Sequence, residues 1–278
     1  MSVIELTIII LIGSYFAGLL GSLTGLGGGF VIIPLFTLFL HIDIHYAIGA
    51  SLITVIATSS GAAAAYLKEG ITNMRLGMFL EIATTTGAMF GAILAIYMPT
   101  NYIAILFGLL LILSALMSVR KKREHIVQRK SYLAKKLNLN SNYPTADGPV
   151  EYSVTNVGGG FGMMLFAGLI SGLLGIGSGA LKVVAMDGIM RIPFKVSTTT
   201  SNFMIGVTAA ASAVVYLQRG YIEPALSMPV VIGVLIGAFT GSKILVRSTS
   251  ANWIRVVFSI VISVIALQMI YNGVTHKL

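Results

Sequence analysis

Gly25-Leu26-Gly27-Gly28-Gly29-Phe30 decides the reading of this chain, because Gly175-Ile176-Gly177-Ser178-Gly179-Ala180 repeats the pattern 150 positions later. The same offset pairs His41 with Arg191, His45 with Lys195, Ser51 with Ser201, Tyr66 with Tyr216, Gly70 with Gly220, Gly87 with Gly237 and Gly91 with Gly241. One inserted residue then shifts Asn101 onto Asn252. Two copies of one unit fill nearly the whole chain. In an apolar chain, a duplication of that size points to two repeats built around a shared central site, the plan of many membrane transporters.

The solvent follows from composition. Of 278 residues, 56% are hydrophobic and 10% charged, and the mean hydropathy is +0.93. A soluble domain of this length has too little interior to hide that much apolar surface, so the outside faces lipid. The absence of cysteine excludes a disulfide framework, a thiolate metal site and a cysteine nucleophile. Met1 to Glu5 carries no basic residue, and the apolar run continues from Leu6 into the first repeat. The start therefore reads as a retained helix rather than a signal peptide.

Each half holds five apolar segments: about 3–21, 28–40, 44–67, 74–98 and 102–119, then 157–174, 179–190, 194–217, 224–246 and 253–271. Crossing lipid as a helix takes roughly 20 apolar residues. The third, fourth and fifth segments of each half supply them, and the second is short. Segments one and two then form a helical hairpin with a glycine-rich turn inside the membrane thickness, which is tolerated only where protein or a water cavity surrounds the irregular backbone. The expected fold is an all-α polytopic membrane protein with two inverted repeats of about five apolar segments each, interrupted by glycine-rich helix breaks. Residues 1–119 form the first transmembrane repeat, 120–156 a linker and 157–273 the second repeat.

The linker opens with Arg120, Lys121, Lys122, Arg123, Arg129, Lys130, Lys135 and Lys136 against Glu124. Basic residues beside membrane helices mark the cytoplasmic side; the competing reading of the run is binding to anionic lipid. That anchor puts Lys68 to Arg75 and Arg191 to Lys195 inside, His41 to His45 and Arg219 to Glu223 outside, and both termini outside. The net charge of +9 comes largely from this linker. With no aromatic interleaving and no nucleic-acid module, a nucleic-acid partner is excluded. An odd number of crossings per half places the two halves in opposite orientations.

Gly87 with Gly91, and Gly237 with Gly241, are G-x-x-x-G pairs and read as helix-packing surfaces. The runs at Gly25, Gly27, Gly28 and Gly29 and at Gly175, Gly177, Ser178 and Gly179 read differently. They break a helix and present the next one by its N-terminus, where free N–H groups and the positive dipole end favour an anion. Gly175 to Ala180 also fits a dinucleotide-type G-x-G-x-x-A pattern, but that motif requires the strand-turn-helix unit of a soluble sheet. Ser178 likewise lacks the frame of a hydrolase elbow.

Ionisable residues inside a membrane are costly, which makes them functional candidates. Lys182 lies three residues after the second turn, while its counterpart is Ile32. Its competing reading is a side chain that snorkels to a membrane surface. Asp187 and Glu81 are candidates for proton coupling, against simple pairing with Lys182, Arg191 or Lys195 and with Arg75 respectively. Thr198, Ser201 and Asn202, in a run opposite Ser51, offer uncharged donors suited to an oxyanion that must bind and leave; their competing reading is interhelical hydrogen bonding. His41 and His45 flank Asp43 in a loop and are too few for a metal site. No metal and no cofactor are expected.

Gly25-Leu26-Gly27-Gly28-Gly29-Phe30-Val31-Ile32-Ile33-Pro34 resembles the G-x-G-G-G-x-x-x-x-P signature of the TauE/SafE sulfite exporter family, also called the 4-toluene sulfonate uptake permeases. Leu181-Lys182-Val183 and Ser201-Asn202-Phe203-Met204-Ile205-Gly206 resemble the family's second copy, with departures at Ser178 and at Val184, the counterpart of Pro34. The resemblance implies a multi-pass inner-membrane transporter of sulfite, sulfonates or other organosulfur anions, with the glycine turns at the substrate. Coupling to a proton or sodium gradient goes with that expectation. A carrier or channel for carboxylates or cations is the alternative. Against a cation path, Glu81 faces Val231 and Asp187 faces Thr37 across the offset. Against an intramembrane enzyme, no Ser-His pair lies together in the apolar segments.

Overall fold

The computed structural model describes residues 3–24, 28–68, 70–119, 131–145, 148–247 and 251–276. Gly25 and Gly27 of the first turn, and the basic run from Arg120 to Lys130, lie outside the described residues. The first half holds α1 (Val3–Thr24), α2 (Gly29–Pro34), α3 (Ile44–Lys68), α4 (Met74–Tyr97) and α5 (Thr100–Val119). The linker forms α6 (Tyr132–Lys136), β1 (Ser141–Thr145) and β2 (Gly148–Tyr152). The second half repeats the first as α7 (Val157–Leu174), α8 (Gly179–Val184), α9 (Phe194–Gln218), α10 (Pro224–Arg247) and α11 (Ala251–Val274). The chain is an all-α polytopic membrane protein. Among the described residues, α1, α4, α7 and α9 are long and apolar enough to cross a membrane, and shorter apolar stretches lie in α2, α3, α5, α10 and α11.

The short second segment is as expected and has an added feature. Each of α2 and α8 runs into a wider π turn, Leu35–Phe39 and Ala185–Ile189. The Leu40 amide donates to the Leu35 carbonyl and the Met190 amide to that of Ala185, so the two copies make the same i to i−5 bond. Both π turns end at a residue in the left-handed region, His41 (φ 51°) and Arg191 (φ 58°).

The two halves interlock. Helix α1 packs on α10 and α4 on α7, while α3 packs on α9 and α5 on α11. Glycines make the closest approaches. A Cβ on Gly87 would collide with the Leu165 carbonyl and one on Gly237 with that of Tyr15; Gly168 faces the Thr84 backbone as Gly18 faces that of Val234. Each pair is one contact made twice at the 150-residue offset, and the packing role read for Gly87, Gly91 and Gly237 holds, while the side-chain surroundings of Gly241 lie outside the described residues. Helix α4 turns Leu80, Ala83 and Ala88 inward and leaves Met78, Ile82, Phe90 and Tyr97 exposed, as a lipid-facing helix must.

The described part of the linker carries secondary structure that was not read from the sequence. Its β1–β2 hairpin, with Tyr143 opposite Val150 and Ser141 opposite Tyr152, packs Tyr143, Tyr152, Leu139 and Val154 against Leu76, Leu80, Met186 and Val196. Alternating apolar residues in a stretch this short are too weak a signal to separate from loop. Burying each such large side chain is worth about 1.5–3 kcal/mol, and that docks the hairpin on the bundle. Asn73 is the polar rivet. Its Oδ1 accepts from the Leu76 amide at 3.1 Å to cap α4, and its Nδ2 donates to the Leu139 carbonyl (2.9 Å) and the Tyr152 hydroxyl (2.8 Å). Its own amide donates to Thr200 Oγ1 of α9 at 3.1 Å. Burial pushes the Tyr152 phenol up to about 12.

Candidate functional site

Gly28 and Gly29, the described residues of the first glycine run, lie beside the second turn between α3 and α9. Gly29, at the start of α2, sits against Ser51 Oγ and near the Gly175 carbonyl. Helix α7 ends at Gly175 in the left-handed conformation (φ 68°), followed by Gly177 (φ 72°) and Ser178 (φ 45°). Glycine is suited to such φ values, whereas serine there is strained by roughly 1–2 kcal/mol. Gly28, the counterpart of Ser178, is right-handed (φ −74°), so the two turns differ in backbone as well as in residue.

The hydroxyls expected around the turns divide into spent and unspent groups. Ser51 Oγ donates to the Gly175 carbonyl at 2.8 Å and Ser201 Oγ to that of Gly179 at 3.2 Å, so both brace the second turn from the long helices. Thr198 Oγ1 donates to its own helix at Phe194 (2.9 Å). Asn202 is half-buried on α9. By contrast, Ser171 Oγ, in the last turn of α7, and Ser178 Oγ are buried without a hydrogen-bond partner. Buried unsatisfied hydroxyls are costly and uncommon, and these two bracket Gly175 to Gly177.

Lys182 does not reach a membrane surface. It is fully buried (0% exposed), with its amide bonded to the Ser178 carbonyl at 3.1 Å. Its Nζ donates to Thr208 Oγ1 of α9 at 2.5 Å. Thr208 Oγ1 lies 2.6 Å from Glu81 Oε1 and 2.9 Å from the Met204 carbonyl. Since the Thr208 hydroxyl accepts from the ammonium, its one proton is free to go to the carboxylate. Thr85 Oγ1 adds a donor to Glu81 Oε1 at 3.1 Å, whereas Glu81 Oε2 is buried with no partner. Three elements from both halves, α8, α9 and α4, thus hold a cation and an anion in the bundle with one hydroxyl between them.

The structure brings Lys182 and Glu81 together. Arg75, the surface partner considered for Glu81, is exposed at the end of α4. Asp187 lies half-buried in the π turn after α8. Sequence reasoning passed over Thr208, although it lies two helical turns beyond Ser201 and shares its face. His45 occupies the first turn of α3, not a loop: Nδ1 contacts Asp43 Oδ1 at 2.9 Å and Nε2 the Ala95 carbonyl at 3.1 Å, with the ring stacked on Tyr221. That hydrogen bond is also the main cause holding the Asp43 carboxyl below its usual range.

Comparison with known proteins accords with this architecture. The chain is 29% identical over 274 residues to the probable membrane transporter protein YunE of Bacillus subtilis (strain 168), covering 96% of this chain and 98% of that one. It is 27% identical over 236 residues to the probable membrane transporter protein YdhB of the same organism, covering 84% and 89%. A probable membrane transporter protein of Methanocaldococcus jannaschii, MJ0441, is 24% identical over 280 residues, with 95% of each chain covered. No solved structure matches the chain. The family model described as Sulfite exporter TauE/SafE matches residues 10–269, and the chain therefore belongs to that family of membrane transporters.

Proposed function

We propose that this protein carries small anions, sulfite or organosulfur compounds of the sulfonate type, across the cell membrane by alternating access, as a carrier and not an enzyme. The observation that carries the reading is the fully buried Lys182 just after the second glycine turn. A cation at that depth is expensive unless it meets an anion, and its partners come from helices of both halves. The orphaned hydroxyls of Ser171 and Ser178 supply donors at the neighbouring turn. A sulfur oxyanion uses donors of this kind, whereas a cation would need surplus carboxylates.

Alternating access is supported by the doubled contacts. Gly87 on Leu165 and Gly237 on Tyr15 are one contact made twice at the repeat offset, which supports a two-fold relation of the halves, and an odd number of crossings per half would give them opposite orientations in the membrane. Rocking such halves about a shared centre exposes the site to one side and then the other. The basic linker belongs in the cytoplasm and both termini outside.

The test is a proteoliposome flux panel of sulfite, ethanesulfonate, sulfate, acetate and sodium, with and without a pH gradient. Sulfite or ethanesulfonate flux exceeding the others is expected, and its loss in Gly177→Val is expected too, because a branched side chain does not fit φ 72°. Flux of acetate or sodium alone would overturn the reading. Single cysteines at Ser131 and Asn272 should label from opposite faces, and labelling from one face would sink the inverted arrangement.

A further inference from the structure

We infer that Glu81 is the proton carrier of this transporter and stands in for the substrate: its carboxylate occupies Lys182, through Thr208, until a proton releases the ammonium to the anion. The inference rests on the anion reading above and adds the coupling that reading leaves open.

Three observations carry it. The Lys182 ammonium and the Glu81 carboxylate meet through one hydroxyl, at 2.5 Å and 2.6 Å, so the resting site is neutral as a pair. Glu81 Oε1 already accepts from Thr85 and Thr208, while Oε2 is buried and without a partner. An open carboxylate oxygen is where a proton would go. Third, the other titratable groups on the packed elements can be placed among the described residues: Asp187, in the π turn after α8, is half-buried and has an interaction of its own. Helix α7 contains no titratable residue, and α8 contains only Lys182. On α9, Lys195 is exposed, and Tyr216 donates its hydroxyl to the Gly172 and Leu173 carbonyls. On α4 itself Arg75 is exposed, and of the hairpin docked on that end Glu151 is exposed, while Tyr152 is held by Asn73.

The consequence is electrostatic. An anion seated on Lys182 beside an ionised Glu81 would put two negative charges on one positive charge in a buried site. Burial of that surplus charge is strongly unfavourable. A proton taken from water on the entry side onto Glu81 Oε2 leaves one ammonium facing one anion. On the far side the anion departs, Glu81 returns its proton to water, and the carboxylate again takes the ammonium through Thr208. The empty carrier then reorients with a neutral pair. One proton thus crosses with each monovalent anion in the same direction. Thr208 is the positioning residue that lets the two acceptors exchange.

The experiment uses full-length protein in proteoliposomes with sulfite and ethanesulfonate as probes, the second because its charge does not titrate in the working range. With the parent, an inward proton gradient of one pH unit should concentrate ethanesulfonate about tenfold, since one unit corresponds to a factor of ten. A pH-sensitive dye inside weakly buffered vesicles should record about one proton per ethanesulfonate. Glu81→Gln mimics the protonated form. It should lose this gradient-driven accumulation while ethanesulfonate counterflow persists without its pH dependence. Accumulation by Glu81→Gln equal to the parent, or ethanesulfonate entry in the parent with no proton uptake, overturns the coupling and leaves the anion reading standing. Flux of neither probe in the parent overturns both. The dye measurement needs no variant, so it decides the matter even if Glu81→Gln fails to fold.

Discussion

Ile32 and Lys182 occupy the same place in the two copies, on the short helix after the glycine turn, and both are fully buried. One is apolar and the other charged. The difference extends to their surroundings: Glu81 and Thr208 of the charged site correspond to Val231 and Thr58, and the Thr58 hydroxyl is spent on its own helix at Thr54 (3.0 Å). The duplicated backbone, down to the π turns and the left-handed residues that end them, therefore frames two equivalent places. Chemistry has been concentrated in one. A buried charge is tolerated only with its partner, so the place around Ile32 lost or never acquired all members together, while the place around Lys182 kept them, with Glu81 supplied by the first half and Thr208 by the second.

The sharpest way to break this asymmetry is to give the place around Lys182 the uncharged character of the place around Ile32. Lys182→Met leaves Glu81 as an uncompensated buried charge and should destabilise the protein by about 3–5 kcal/mol, besides ending anion flux. The double variant Lys182→Met/Glu81→Gln should regain most of the lost thermal stability in detergent while remaining inactive. A single variant as stable as the parent would mean that the two charges are not coupled.

The packing surfaces should show symmetry where the charged site does not. Gly87→Ala and Gly237→Ala each press a methyl against a backbone carbonyl across the interface between halves. Overpacking of this kind costs about 1–3 kcal/mol, and the two melting temperatures should fall by similar amounts. A large drop in one alone would show that the halves are not related as the doubled contacts indicate.

A smaller effect belongs to Asn73, whose counterpart is Glu223 and which alone of the two ties a linker to the bundle. Asn73→Ala removes a helix cap, typically worth about 1 kcal/mol, and the donors to Leu139 and Tyr152. Proteolysis between residues 131 and 156 should then accelerate, while the bundle persists. Unchanged cleavage would assign hairpin docking to its apolar contacts alone. With its pKa raised to about 12, the Tyr152 phenol contributes its part of the docking fully below about pH 10, the unperturbed value. That part is lost as pH rises toward 12.

The smallest change is Ser178→Gly, which restores the pattern of the first turn. It relieves a left-handed serine (φ 45°) and should raise the melting temperature slightly, by the equivalent of about 1 kcal/mol. If the Ser178 hydroxyl serves the anion, affinity for sulfite falls at the same time; equal affinity would confine binding to Lys182 and the backbone.

Much of the fold was legible because membrane helices announce themselves by length and apolarity. The segment boundaries read from sequence coincide with α7 at Val157–Leu174 and lie close to the others. Much of the site was legible as a set of residues but not as an arrangement. Lys182 and Glu81 stood out because charges are rare in such segments, whereas Thr208 was one hydroxyl among many. The run from Ser197 to Asn202 drew attention by density, yet Thr198 satisfies its own helix and Ser51 and Ser201 brace turn carbonyls. Hydroxyls in helices have a carbonyl within reach one turn back, and composition says nothing about which of them spend their proton there.

The sequence by itself determined the solvent, the duplication, the helix breaks and the presence of a cation beside one of them, since each depends on local composition or on periodicity along the chain. Only the tertiary structure decided that α1 pairs with α10 and α4 with α7, that the linker folds into a hairpin docked on Asn73, and that Lys182 meets Glu81 through Thr208. The last two of these contacts join residues 26 and 127 positions apart. Their energy depends on distance and burial, which no local pattern encodes until the helices have packed.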